Sequence, residues 1–220
     1  MRPFVFINLA SSLDGKISNE RREQVRISSP EDFEVVDRLR AESDAVMVGI
    51  GTIISDDPKL TVKSEELKMV RLEKGLKANP TRVVVDSRCR IPLSSHTLND
   101  EAETIVAVSR RADREKVEKL RQKAEVFVAG EERVNLRALL EHLYSRGIRK
   151  VMVEGGGELN HSLIKDGLVD EFRVFYSGMI IGGKNSPTPV DGGSFETPVK
   201  AELKSYEVLG NGIAVIWRLC

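Results

Sequence analysis

Five short stretches carry side chains able to do chemistry, each at the end of an apolar run or just beyond it. Val151-Met152-Val153 leads into Glu154, then Gly155-Gly156-Gly157-Glu158. Three consecutive glycines cost backbone entropy, so something must approach the chain closely there. A glycine turn that opens a helix presents unpaired N–H groups and the positive dipole end, which suits a phosphate. The spacing is neither G-x-G-x-x-G nor a Walker A, since no Gly-Lys-Ser/Thr follows. The other reading is a tight strand-to-helix turn. Glu154 either caps that helix or faces a ligand.

Gly49 and Gly51 end a second apolar run, and Thr52 opens a helical turn with a free hydroxyl. Asp56-Asp57-Pro58 follows, as a turn or as two carboxylates for a metal. Asn8 lies in the first apolar run, and Asp14-Gly15-Lys16 is a turn just beyond it; Lys16 could serve a phosphate or a carbonyl. Ser87, Arg88 and Arg90 follow a fourth run, and Ser109, Arg110 and Arg111 a fifth. Hydroxyl and guanidinium groups at a strand end match phosphate oxygens, or else mark a solvated helix start. No Ser/His/Asp or Cys/His arrangement stands out, which points to a bound cofactor rather than a nucleophilic side chain.

The elements that must position these groups alternate. Residues 4–10, 45–49, 82–86, 104–108, 125–129 and 150–154 are short and rich in strand formers. Ser29-Pro30-Glu31-Asp32 supplies a cap, a proline at the first helical position and two acids, predicting a helix over 29–42. Residues 112–124, 135–147 and 158–167 have helical patterning, and 64–80 reads as a charged, partly helical surface insertion or connector. After residue 170 strands continue without helices, and Gly210-Asn211-Gly212 predicts a hairpin. The expected fold is α/β, with a mostly parallel sheet whose C-terminal strands are antiparallel and with helices on both faces, in one domain over 1–220. In such sheets ligands bind beyond the carboxyl ends of the strands, where the candidate motifs fall.

Composition narrows the function classes. Lys+Arg and Asp+Glu both number 34, so no basic surplus supports a nucleic-acid partner. Cys89 and Cys220 suit free thiols in a reducing cytoplasm, and His96, His142 and His161 lack metal-ligand spacing. No run approaches a membrane span and the N-terminus is unlike a signal peptide, so neither membrane nor metal is expected.

The ordered set N-x-A-x-SLDGK, RISSPED, LRAESDAVMVGIGTIISDDPKLTV, RVVVDSRCRIP, VEGGGELN and GLVDE spans nearly the whole chain. It resembles the stand-alone riboflavin-biosynthesis reductases, relatives of the reductase half of the bifunctional bacterial deaminase–reductase. The resemblance implies a dihydrofolate-reductase-like fold and a homodimer. It implies NADPH-dependent reduction of 2,5-diamino-6-ribosylaminopyrimidinone 5′-phosphate to the ribitylamino form, before deamination. By the same resemblance, Thr52 and Asp56 contact the nicotinamide half of NADPH. Ser87 and Arg88 lie near the adenosine half, and Gly155, Gly156, Gly157 and Glu158 hold the pyrophosphate. Glu154 faces the substrate, with Arg40, Leu60 and Lys63 along it. Bacterial relatives carry a lysine at Asn8, so Asn8 cannot donate a proton in the same way, and Lys16 is the remaining basic residue nearby. They also have Ser-x-Trp where this chain reads Gln24-Val25-Arg26, and the zinc signature of the deaminase is absent. Two other readings are a dihydrofolate reductase on the same fold and a non-catalytic nucleotide sensor.

Overall fold

The computed structural model describes residues 1–23 and 25–220. Gln24, first of the three residues at the Ser-x-Trp position, lies outside the described residues. In chain order the elements are β1 (Phe4–Ser11), α1 (Pro30–Ala41), β2 (Ala45–Gly49), α2 (Ile50–Asp56), α3 (Glu65–Glu73), β3 (Thr81–Val85), β4 (Thr104–Val108), α4 (Arg114–Arg121) and β5 (Glu125–Val128). They continue as α5 (Leu136–Ser145), β6 (Lys150–Val153), α6 (Gly157–Lys165), β7 (Glu171–Ser177), β8 (Ala201–Leu209) and β9 (Gly212–Leu219). The strand pairs are mostly parallel, with antiparallel pairs at the C-terminal end. By its contacts the chain divides into two compact units, Met1–Phe4 with Asp37–Met152 and Val5–Val36 with Val153–Cys220.

The first unit orders its strands β5-β4-β3-β2-β6. β2, β3, β4 and β5 pair parallel in sequence, Ala45 opposite Thr81 and Ile105 opposite Glu125. Val46, Val48, Val83, Val84 and Val106 are fully buried, as β-branched runs covered on both faces should be. Asp113 and Asn135 cap α4 and α5 by accepting from the amides of Lys116 and Ala138. The 64–80 segment is partly helical, as expected, but it is not wholly a surface connector. It contains α3, and Arg71 on that helix is only 4% exposed. Its guanidinium donates to the carbonyls of Ala41 (2.7 Å), Ser43 (2.8 Å) and Lys77 (2.8 Å), which docks the segment. Burying that charge is tolerable because backbone oxygens satisfy it.

The second unit orders its strands β1-β7-β9-β8. β1 pairs parallel with β7, while β7–β9 and β9–β8 are antiparallel. Ser29 caps α1 as expected, accepting from the Asp32 amide at 3.2 Å. Phe175, Leu209 and Ala214 form a core cluster on one sheet face, with Ala10 and Val35 against it. Gly210 takes φ +55 in the hairpin turn. β8 carries a bulge between Leu203 and Ser205. The extra residue resets the alternation, so Leu203, Tyr206 and Val208 all stand on the face opposite the core cluster, with Ile213, Val215 and Trp217 of β9 and Phe172 of β7. Leu203, Tyr206 and Val208 are 53%, 67% and 74% exposed, an apolar patch on this unit.

Candidate functional site

In the first unit the candidate groups gather at the carboxyl ends of β2 and β3. β2 runs directly into α2, whose N-cap Gly49 has no side-chain cap. Thr52 and Asp56 are four residues apart on α2 and so share one face, Thr52 half-buried and Asp56 exposed. Asp57 ends the helix in the left-handed region, φ +40. Its carboxylate accepts from Ser95 Oγ (2.6 Å) and the His96 amide (3.0 Å), with His96 Nδ1 at 2.8 Å. Partial burial works against its ionisation, but these partners hold its pKa below the ordinary value. Asp57 is therefore tied to the 95–96 turn, and among the described residues no three His, Cys, Asp or Glu side chains cluster as metal ligands.

Beyond β3, Asp86 is fully buried. One carboxylate oxygen accepts from the amides of Arg90 and Ile91 (2.8 Å to Ile91), cinching the turn that displays Ser87 and Arg88. Burial pushes its pKa up, opposed by those amides. Ser87 Oγ accepts from the Val134 amide at 3.1 Å, so its hydroxyl hydrogen remains to donate; Arg88 is exposed. The second serine–arginine cluster is structural. Ser109 Oγ donates to the Ser87 carbonyl at 2.7 Å, and Arg110 and Arg111 pair with Glu131 and Glu132 on the surface.

Arg40 donates to the Thr61 carbonyl (3.1 Å), while Asp37 accepts from the amides of Lys63 (2.7 Å) and Ser64 (2.8 Å). Lys63 is exposed. Leu60 has a left-handed backbone, φ +53, and a side chain only 2% exposed, so the part of it nearest solvent is its backbone.

In the second unit the three glycines have three different causes. Gly155 sits at φ +100 with open space where a Cβ would be, and Gly156 caps α6 at φ +31 without a side-chain cap. Gly157 is different. A Cβ there would meet Asp191 Oδ2 at 2.6 Å and the Thr188 carbonyl at 2.7 Å. Its missing side chain thus makes room for the 188–191 loop rather than for a phosphate. The Asp191 amide donates to the Gly157 carbonyl (3.1 Å), and Asn160 Nδ2 to the Pro189 carbonyl (2.8 Å). Asp191 Oδ1 accepts from the Thr188 hydroxyl at 2.6 Å. Glu154 is half-buried and Glu158 exposed. The Gly155–Gly156 side of the turn, with uncapped first-turn amides, fits a dinucleotide pyrophosphate.

The SLDGK turn is anchored within the same unit. Asp14 accepts from Ser12 Oγ (2.6 Å) and the amides of Ile181 (3.0 Å) and Gly182 (2.7 Å). The Ser12 hydroxyl and then the Ile181 amide hold its pKa down to about 2. Lys16 Nζ reaches the Ser186 carbonyl at 3.3 Å. Asn8 Oδ1 accepts from Arg173 Nη1 at 2.7 Å, and Arg173 Nη2 donates to Asp32 Oδ1 at 2.7 Å. Sequence reasoning missed Arg173, Asp32 and Asp191, because their partners lie 141 to 165 residues away or in a loop readable only as Gly/Pro-rich. Among the described residues no helix is long and apolar enough to cross a membrane.

The 2,5-diamino-6-ribosylamino-4(3H)-pyrimidinone 5′-phosphate reductase of Archaeoglobus fulgidus is 59% identical over 218 residues, 99% of each chain. In structure the chain resembles the diaminohydroxyphosphoribosylaminopyrimidine deaminase/5-amino-6-(5-phosphoribosylamino)uracil reductase of Thermotoga maritima. There the TM-score is 0.81 at 27% identity, covering 100% of this chain and 57% of that one. Enterococcus faecalis dihydrofolate reductase superposes with TM-score 0.53 at 13% identity, over 98% of this chain and 96% of that one, so the fold is dihydrofolate-reductase-like. The model of the RibD C-terminal domain matches residues 3–215. With that match and a full-length relative at 59% identity, the chain belongs to the RibD C-terminal domain family.

Proposed function

We propose that this chain is the reductase of riboflavin biosynthesis that converts 2,5-diamino-6-ribosylaminopyrimidinone 5′-phosphate to its ribitylamino form with NADPH. The observation that carries this is the near-full-length identity to the Archaeoglobus fulgidus reductase. NADPH supplies the hydride when bound. The protein's task is then to hold an opened ribosylamine at reacting distance and to exclude water.

In this reading Thr52 and Asp56 hold the nicotinamide amide, one as hydroxyl partner and the other as acceptor. Ser87 donates near the adenosine half, and Arg88 supplies charge for an extra ribose phosphate, so NADPH is preferred over NADH. Gly155 and Gly156, with the first-turn amides through Gly157 and Glu158, take the pyrophosphate. Arg40 and Lys63 receive the substrate 5′-phosphate, and the Leu60 backbone lies along it. Glu154, Lys16 and Asn8 face the reacting end. Residues 1–220 serve this one activity in the cytoplasm as a homodimer. The apolar face of β7, β9 and β8 supports the pairing, since exposed Leu203, Tyr206 and Val208 would be covered there by the same residues of a second copy.

The test is loss of reduced-nicotinamide absorbance with the purified chain, comparing the ribosylaminopyrimidine phosphate with dihydrofolate and NADPH with NADH. Turnover of the first substrate with NADPH is expected. Turnover of dihydrofolate alone, or cofactor binding with no turnover, overturns the reading.

A further inference from the structure

Asn8 stands in the middle of β1, opposite Arg173 on β7, and both residues are only 5% exposed. A buried asparagine between Ile7 and Leu9 costs stability unless its amide is used. Arg173 could close both guanidinium nitrogens on Asp32, a fork that carboxylates normally receive. It does not. Nη2 goes to Asp32 Oδ1, Nη1 goes to Asn8 Oδ1, and Asp32 Oδ2 is left buried without a hydrogen-bond partner among the described residues. One strong bond is given up so that the guanidinium can hold the asparagine.

A guanidinium has donors and no acceptor. The amide atom facing Arg173 must therefore be the oxygen, and the NH2 is turned away from it. We infer that Arg173, held by Asp32, fixes the Asn8 amide so that its NH2 is a permanent hydrogen-bond donor to an oxygen of the ribosylaminopyrimidine phosphate. Arg173 and Asp32 are then positioning residues acting through Asn8. This rests on the reductase reading above. Held this way, Asn8 donates a hydrogen bond but transfers no proton, so the proton that completes the reduction comes from elsewhere.

Asn8→Asp tests this directly. The aspartate has the same shape and still accepts from Arg173, but it offers no donor. Expected is a fall of about tenfold or more in kcat/KM for the ribosylaminopyrimidine phosphate, with thermal stability unchanged or raised by the added ion pair. Arg173→Lys, which can still donate to Oδ1, should retain more of kcat/KM than Arg173→Met. An Asn8→Asp enzyme within about twofold of wild type overturns the inference while leaving the reductase reading intact. A wild-type chain that reduces none of the substrate overturns both.

Discussion

Gly157→Ala separates two physical accounts of the glycine turn because they differ in sign. On helix propensity alone, alanine at the first residue of α6 stabilises by up to about 1 kcal/mol. Packing says the opposite. The new Cβ would lie 2.6 Å from Asp191 Oδ2 and 2.7 Å from the Thr188 carbonyl. The carboxylate could swing, but the carbonyl belongs to the backbone and can move only with its loop. Moving the loop breaks the Asp191 amide bond to the Gly157 carbonyl and the Asn160 bond to the Pro189 carbonyl. Two such bonds are worth about 2 kcal/mol together, and residual crowding adds about 1 kcal/mol. Subtracting the propensity gain leaves about 2 kcal/mol of destabilisation, a drop in Tm of about 4–8 °C for a chain this long. Thermal unfolding followed by circular dichroism reads it. Gly51→Ala is the control: Gly51 lies in α2 with nothing within 4 Å of the added carbon, so the same substitution should hold or raise Tm. A Gly157→Ala protein as stable as wild type would refute the close-approach account.

Glu154→Gln and Asp56→Asn should each lower turnover more than they lower Tm, read by paired kinetics and melting; wild-type rates in both would remove them from the site. Asp86 should make stability depend on pH. Burial raises its folded pKa above that of the unfolded chain, so its contribution is full below the ordinary carboxylate range and is lost as pH rises through the folded value. Chemical denaturation at a series of pH values should accordingly show a smaller loss of stability on leaving the acid range in Asp86→Asn than in wild type. If the chain forms the proposed homodimer through the β7–β9–β8 face, wild type should sediment as a dimer and Val208→Lys as a monomer with unchanged far-UV circular dichroism; a wild-type monomer would refute the pairing, and a Val208→Lys dimer would refute this face.

Local signals were strong where one short stretch decides the outcome. Ser29-Pro30 set the start of α1, and Gly210-Asn211-Gly212 set the β8–β9 hairpin. The valine runs identified β3 and β4 because both faces are buried. What stayed hidden depends on partners remote in sequence. Nothing near Gly157 in the chain announces Asp191, and nothing near Asn8 announces Arg173. Arg71 looked like a surface charge because its acceptors are carbonyls, which every sequence has. Leu60 was legible as an apolar residue, but its φ of +53 and its burial arise from how the 57–64 segment is held by Asp37 and Asn79.

The bulge in β8 bears on how this protein avoids aggregating. β8 is the last strand of the sheet, and an open edge invites another chain to add to it. A bulge breaks the regular spacing of free N–H and C=O groups that such an addition needs, and Glu202, Lys204 and Glu207 place charges along the same strand. Lys204 is itself drawn to Glu171. The edge is thereby a poor template for strand addition, while the bulge keeps Leu203 on the same side as Tyr206 and Val208. Deleting Lys204 would mend the edge for fibril-like growth while leaving Leu203 opposite Trp217, on the same side as Tyr206 and Val208, so the two roles of this strand are separable.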